Sequence, residues 1–312
     1  MRTKIKKLLF EYSINSRITT KELGKKIGSS QQSASYLLNS LKKKKLIEGN
    51  ITIVDAIKLG FINVLVGFNF LNPAVKKEII DELKENPSIT SIEEGKEGID
   101  ILVEYTTQNL SAFNKIHSEL IYKFYKKLRT VFVYPMIVNH EYHKNYLSRK
   151  FYDSDIILFG DRILRELSEN ELKVLEELVR QPDKKLIDIS ESLEIPVKTI
   201  VRLKRALERK YIIKGYSTIL NNTKLEINRE IIFFKFSSEG IRQIDKFSEF
   251  ARNNKNIIKF MKIIGEYHLV IFVESIKYIE IIKDIRSNFP IENYLIVKSE
   301  KIHKKRYLPD RE

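Results

Sequence analysis

At 312 residues the chain exceeds the roughly 100–200 residues of a single domain. Its 43% hydrophobic and 31% charged residues suit a soluble protein with sizeable cores and exclude a disordered polyelectrolyte. A net charge of +15 favours an anionic partner, nucleic acid or an acidic membrane surface. The absence of cysteine removes disulfides, a thiol nucleophile and thiolate zinc sites, and fits a reducing cytoplasm, where the protein is expected. The first ten residues are basic without a long apolar run, so no signal peptide is read there. The longest apolar stretch, 60–71, is interrupted by Asn63 and Asn69 and falls short of the about 20 residues of a membrane helix; no membrane partner is expected.

Taken in chain order, residues 18–49 read as a helix-turn-helix, with Leu23, Ile27, Leu37 and Leu41 at helical spacing. A mixed segment follows. Strands are expected at 62–70, 89–93, 99–105 and 131–138, and helices at 73–85 and 110–128. That alternation of period 2 and period 3.6 is the ferredoxin-like order β-α-β-β-α-β. Residues 148–162 read as a linker, with Asp153, Ser154 and Asp155 as a turn or cap. The second half opens on Ser168 and Glu171, spaced as a capping box. Leu172, Leu175, Leu178 and Val179 give that helix an apolar face. A short helix over 186–193 follows. Pro196 then suits the first turn of a third helix ending near Lys210, and 211–220 read as a strand pair or wing. Strands at 230–236, 257–264, 268–273 and 294–298, with helices at 240–253 and 275–289, repeat the ferredoxin-like order.

The second half restates the first at an offset of 166 positions. Leu23, Ile27, Leu37, Leu41 and Gly49 fall on Ile189, Leu193, Leu203, Leu207 and Gly215, and Phe68 and Phe70 on Phe234 and Phe236. The expected fold is α+β: two winged helix-turn-helix domains (1–58 and 163–222), each followed by a ferredoxin-like domain (59–147 and 223–312).

Residues 167–219 resemble the Lrp/AsnC (leucine-responsive regulator) family. The resemblance is carried by Leu172, Val174, Leu175, Ile189 and Leu193, and by the run Ile212, Ile213, Lys214, Gly215, Tyr216, Ser217. The following α/β segment resembles that family's effector and oligomerisation (RAM) domain, and the first half looks like a looser copy. The resemblance implies a sequence-specific transcription regulator in tandem form that is not an enzyme and needs no cofactor. Its implied partners are double-stranded DNA, an amino-acid or other small-molecule effector, and further copies joined through the ferredoxin-like domains. Because one chain carries two of each domain, the halves are expected to pack as an intramolecular pseudo-dimer on an asymmetric site. Pairing of equivalent domains between chains would give a palindromic site instead.

In a helix-turn-helix the second helix enters the major groove. In the second half Lys198, Arg202, Arg205 and Arg209 share one outer stripe beside Thr199, suited to phosphates and guanine edges. In the first half the aligned stripe is Gln32, Tyr36, Asn39 and Lys43, with Ser30, Gln31 and Ser33 at the helix start. Gln and Asn can read adenine edges, and Ser can reach bases or phosphate. A solvated basic face is the plainer alternative for the first stripe, and a dipole-favoured C-terminal turn for the lysines at 42–45.

His140 and His143 do not have the spacing of a metal motif. His143 aligns roughly with His303, which points to a repeated structural role, and no metal is expected. Neither phosphate-binding glycine motif occurs. Gly265, Glu266, Tyr267 and His268 stand at a turn where the resembled family places its ligand; an ordinary hairpin turn explains them equally. Two rivals remain. Two-unit proteins of this architecture also act as siroheme decarboxylases, although residues 218–229 look short and bland beside the His/Arg-rich stretch such enzymes carry. The other rival is a protein-interaction regulator with weak DNA binding.

Overall fold

A computed structural model describes residues 1, 3–160 and 163–310. The end of the expected linker (161–162) and of the last domain (311–312) lie outside the described residues. The first half runs α1 (Thr3–Ile14), α2 (Thr20–Ile27), α3 (Gln31–Lys43), β1 (Ile47–Val54), β2 (Ile62–Phe70), α4 (Lys76–Glu85), β3 (Ile89–Glu97), β4 (Ile101–Thr107), α5 (Leu110–Lys123), β5 (Leu128–Tyr142) and β6 (Asp155–Leu158). The second half runs α6 (Glu169–Arg180), α7 (Leu186–Leu193), α8 (Val197–Arg209), β7 (Ile213–Leu220), α9 (Asn222–Leu225), β8 (Asn228–Phe236), α10 (Ile244–Asn253), β9 (Ile257–Ile263), β10 (Leu269–Ser275), α11 (Ile281–Asn288) and β11 (Ile291–Lys305). This is the expected α+β fold of two winged helix-turn-helix units, each followed by a ferredoxin-like unit. Among the described residues no helix is long and apolar enough to cross a membrane.

Local chemistry fixes the helix ends. Thr19 and Glu22 form a capping box on α2, and Ser168 and Glu171 form one on α6, each satisfying backbone N–H groups that have no partner inside the helix. Gly28 ends α2 in the left-handed conformation at φ 69°. Glu194, 166 positions on, ends α7 in the same conformation at φ 54°, where a side chain is sterically disfavoured.

The two halves are built through one another. β1 and β7 are single wing strands, and each pairs antiparallel with the other, Ile51 opposite Ser217 and Thr52 opposite Tyr216. The wing at 211–220 is therefore one strand of a ladder shared between halves, not a local strand pair. The ferredoxin-like strands run in the order β2-β4-β3-β11-β8-β10-β9-β5, and β5 returns to β2, which closes the ring. Closure removes the open edges that each sheet would have alone.

β5 and β11 make this possible, since each serves two modules. β5 pairs with β2 through Pro135 and then with β9 from Met136 to Glu141. β11 pairs with β8 up to Lys298 and then with β3 to Lys305. Both strands are 15 residues long, well beyond the 131–138 and 294–298 expected, because their far ends complete the other module. β6 adds to β5, so part of the expected linker is a strand. The helix expected over 275–289 starts only at Ile281, since Ser275 still belongs to β10.

The cores follow the same exchange. The first winged helix-turn-helix unit buries Leu8, Leu9, Phe10 and Leu23 together with Leu220, Leu225 and Ile227 of the second half. The second buries Val174, Leu175, Ile189 and Ile200 in a cluster with Ile53, Val54 and Ala56 of the first. Full burial of each such aliphatic side chain is worth about 1.5–3 kcal/mol, so the halves are tied by the cores of their own helical units.

Candidate functional site

The exchange leaves a cavity of about 110 Å³ between the wing ladder and the barrel. Ile51, Ile53, Thr218 and Leu220 wall it from the wings, and the far ends of β5 and β11 wall it from the barrel. Ionisable groups from both halves converge there. Lys144, Arg229, Lys259 and Lys305 line it, against two carboxylates, Glu141 and Glu274. Glu93 and Glu104 stand behind these cations.

Arg229 donates from Nε and Nη2 to Glu93, at 2.6 and 3.0 Å, and from Nη1 to Glu274 at 2.6 Å. Lys144 reaches Glu274 at 2.6 Å, and the Tyr146 hydroxyl donates to the same carboxylate at 2.7 Å. Lys259 lies 2.8 Å from Glu104 and 3.8 Å from Glu141; Lys305 lies 3.4 Å from Glu104. The Tyr307 hydroxyl donates to Glu141 at 2.9 Å.

Burial acts to raise the Glu104 carboxyl, but Lys259 and Lys305 outweigh it and hold the group at about 2. Glu274 is likewise held at about 2, burial being overcome by Lys144 and Arg229. Burial and the adjacent carboxylates push the phenols of Tyr146 and Tyr307 well above their usual range. Burial, with Lys259 beside it, lowers the Lys305 ammonium. Displaced buried groups lining a cavity are the physical mark of a site prepared for chemistry, although structural ion networks carry it too.

Sequence reasoning missed this cluster. The stretch 218–229, read as bland, in fact lines the cavity through Thr218, Leu220 and Asn222 and ends on its hub, Arg229. A signal was present: Glu104 and Lys259 are lone charges inside the apolar strand runs Ile101 to Tyr105 and Ile257 to Met261. A buried strand tolerates such a charge only with a partner.

The residues expected to read DNA form a separate surface. On α8 Lys198, Arg202, Arg205 and Arg209 are all exposed and Thr199 is half-buried. Among the described residues none of the four cations makes an ion pair, and the neighbouring Glu208 is taken up by Lys204 and Tyr216. On α3 Gln31, Gln32, Ser33, Tyr36, Asn39 and Lys43 are exposed. Ser30 is exposed too, but its hydroxyl oxygen caps the helix by accepting from the Ser33 N–H at 3.2 Å.

The turn at 265–268 is packed into the fold. His268 Nδ1 accepts the Phe236 N–H at 3.0 Å, and the Tyr267 ring lies against Phe233 and Tyr134. A Cβ on Gly265 would fall 2.1 Å from the Tyr134 ring. Only Gly265 and Glu266 of these four are exposed. His140 pairs with Asp155 and His303 with Glu94, each at 2.7 Å, while His143 bonds Ser154 at 2.7 Å. Among the described residues no three His, Asp or Glu side chains converge as metal ligands.

No protein-family model matches the chain, and no curated protein matches it in sequence. Solved structures do. The siroheme decarboxylase NirDL aligns over 98% of this chain and 94% of its own, at 13% identity and a TM-score of 0.60. The same enzyme in complex with an iron-uroporphyrin III analogue aligns over 98% and 93%, at 13% identity and a TM-score of 0.58. An AsnC family transcriptional regulator from Agrobacterium tumefaciens aligns over 55% of this chain and 98% of its own, at 15% identity and a TM-score of 0.37. At these identities the likeness is one of fold. It nonetheless overturns the expectation that the chain is not an enzyme, because the architecture shared from end to end is that of an enzyme.

Proposed function

We propose that the protein is a decarboxylase of the siroheme type, acting on a carboxylate-bearing tetrapyrrole in the cavity between its halves. The full-length fold supports this reading. The observation that carries it is the cavity wall, where Lys144, Arg229, Lys259 and Lys305 are gathered from both halves and balanced by Glu93, Glu104, Glu141 and Glu274, so that an acidic substrate enters by displacing one of these carboxylates. The cavity is partly open and smaller than a macrocycle, so a tetrapyrrole would have to widen it on binding.

Loss of carbon dioxide breaks a carbon–carbon bond, and the carbon left behind must take up a proton. In this reading substrate carboxylates replace Glu274 on Lys144 and Glu104 on Lys305. Tyr307, whose hydroxyl lies in the cavity wall 2.9 Å from Glu141, is placed to deliver the proton. Incubation of the full chain with siroheme under anaerobic conditions, followed by absorbance, tests the proposal. A spectrum that never changes removes it.

A second reading is favoured by a different observation: the unpaired cationic stripe of α8. Four exposed guanidinium and ammonium groups on the second helix of a helix-turn-helix suit duplex DNA, and the polar stripe of α3 supplies a second contact. In this reading the chain is a sequence-specific transcription regulator of the Lrp/AsnC type. Binding to duplex DNA that weakens steeply with salt supports it, and salt-independent or absent binding removes it.

A further inference from the structure

The buried charges at the seam between modules are segregated by sign. The first half contributes Glu93, Glu94, Glu104 and Glu141. The second contributes Arg229, Lys259 and Lys305, with the His303 imidazole bonded to Glu94, and among the described residues of the cluster Glu274 is its one acid, matched by Lys144 from the first half. Pairing runs across the halves: Arg229 to Glu93, Lys259 and Lys305 to Glu104, His303 to Glu94 and Lys144 to Glu274.

The segregation sits on corresponding positions. On β5 His140 faces Phe260 of β9, which in turn faces Ile271. On β11 Lys304 faces Ile92 of β3, which faces Val103, the counterpart of Ile271. The next residues, Glu141 and Lys305, therefore occupy matching places and carry opposite charge. Two first modules placed together would bring Glu141 of one beside Glu93 and Glu104 of the other. Two second modules would bring Lys305 beside Lys259 and Arg229. Buried like charges of this kind disfavour both assemblies strongly.

We infer that each α/β module accepts only the other, so that the chain is its own dimer and carries two unlike reading helices to a single non-palindromic DNA site. The DNA site rests on the DNA-binding reading; the pairing of modules does not. α8 would engage its half-site through Lys198, Arg202 and Arg205, and α3 through Gln32 and Asn39. A pair of identical subunits would read two identical half-sites.

The cysteine-free chain allows a direct test of the seam. Glu97 of β3 and Lys298 of β11 are exposed register partners. The double variant Glu97→Cys with Lys298→Cys should oxidise to a monomer with an internal disulfide. A disulfide-linked dimer, or a native mass of two chains for the unaltered protein, overturns the pairing. Duplexes selected by the full chain from a random pool test the site. The expected motif has two unlike halves with one chain bound. Arg202→Ala with Arg205→Ala should erase one half, and Gln32→Ala with Asn39→Ala the other. A palindrome bound by two chains overturns the inference. No enriched sequence overturns the DNA reading and the site with it, while the disulfide result still decides the pairing.

Discussion

Arg229 clasps Glu93 of the opposite half with two guanidinium nitrogens and holds Glu274 of its own half with the third, so one buried residue ties the two modules together. Removing it takes from buried Glu93 its ion-pair partner and leaves Glu274 to Lys144 and Tyr146. Arg229→Met should destabilise the fold by about 3–5 kcal/mol, the range for breaking a buried ion pair from one side. The midpoint of urea unfolding checks this.

Acid should open the same seam. Glu104 and Glu274 are held at about 2 in the fold, below the 4.5 of a free glutamate. Carboxyls depressed in this way contribute stability that is fully present above about pH 4.5 and is lost as pH falls through 2. Unfolding monitored by circular dichroism should therefore begin below about pH 5, and Glu104→Gln should flatten the dependence. Stability unchanged down to pH 2 would contradict the assignment.

The pseudo-repeat also exposes a strained position. Glu194 holds the left-handed conformation that Gly28 holds in the first half. Glu194→Gly should stabilise the protein by about 1 kcal/mol, since it relieves a steric cost of about 1–2 kcal/mol and loses part of that to a more flexible unfolded chain. Thermal unfolding reports it.

Gly95 is constrained in a different way. A Cβ there would lie 2.0 Å from the Ile99 carbonyl oxygen, while one on Gly49 meets nothing within 4 Å. Gly95→Ala should cost about 1–3 kcal/mol, the usual range for overpacking. Gly49→Ala should stay within about 0.5 kcal/mol, as for an unconstrained surface change. Denaturant curves of the two variants separate them.

Under the DNA-binding reading, Arg202→Ala and Arg205→Ala should each lower the slope of log affinity against log salt by about 1, the value for one phosphate no longer neutralised. Both groups are exposed and, among the described residues, make no ion pair, so the thermal midpoint should not move. An unchanged salt slope would count against DNA engagement by α8.

Local periodicity made most of the fold legible in the sequence. The spans 62–70 and 186–193 coincide with β2 and α7, and the capping box at Ser168 is present because its two residues are three apart. What escaped was non-local. β5 and β11 extend well past what an apolar pattern suggests, because their far ends pair with the other module and change their burial pattern on crossing. The wing strands found partners in the opposite half of the chain, and Arg229 found Glu93 at a separation of 136. Charges so far apart read singly as surface residues. The stripes on α3 and α8 were legible because helical spacing alone aligns them.

The most direct test is what the cavity does to a tetrapyrrole. Siroheme incubated with the full chain and followed by mass spectrometry should lose carbon dioxide, and Tyr307→Phe, which keeps the ring and removes the proton donor, should slow that loss by about tenfold or more. Siroheme recovered at unchanged mass, with the chain folded and its cavity residues intact, would contradict it.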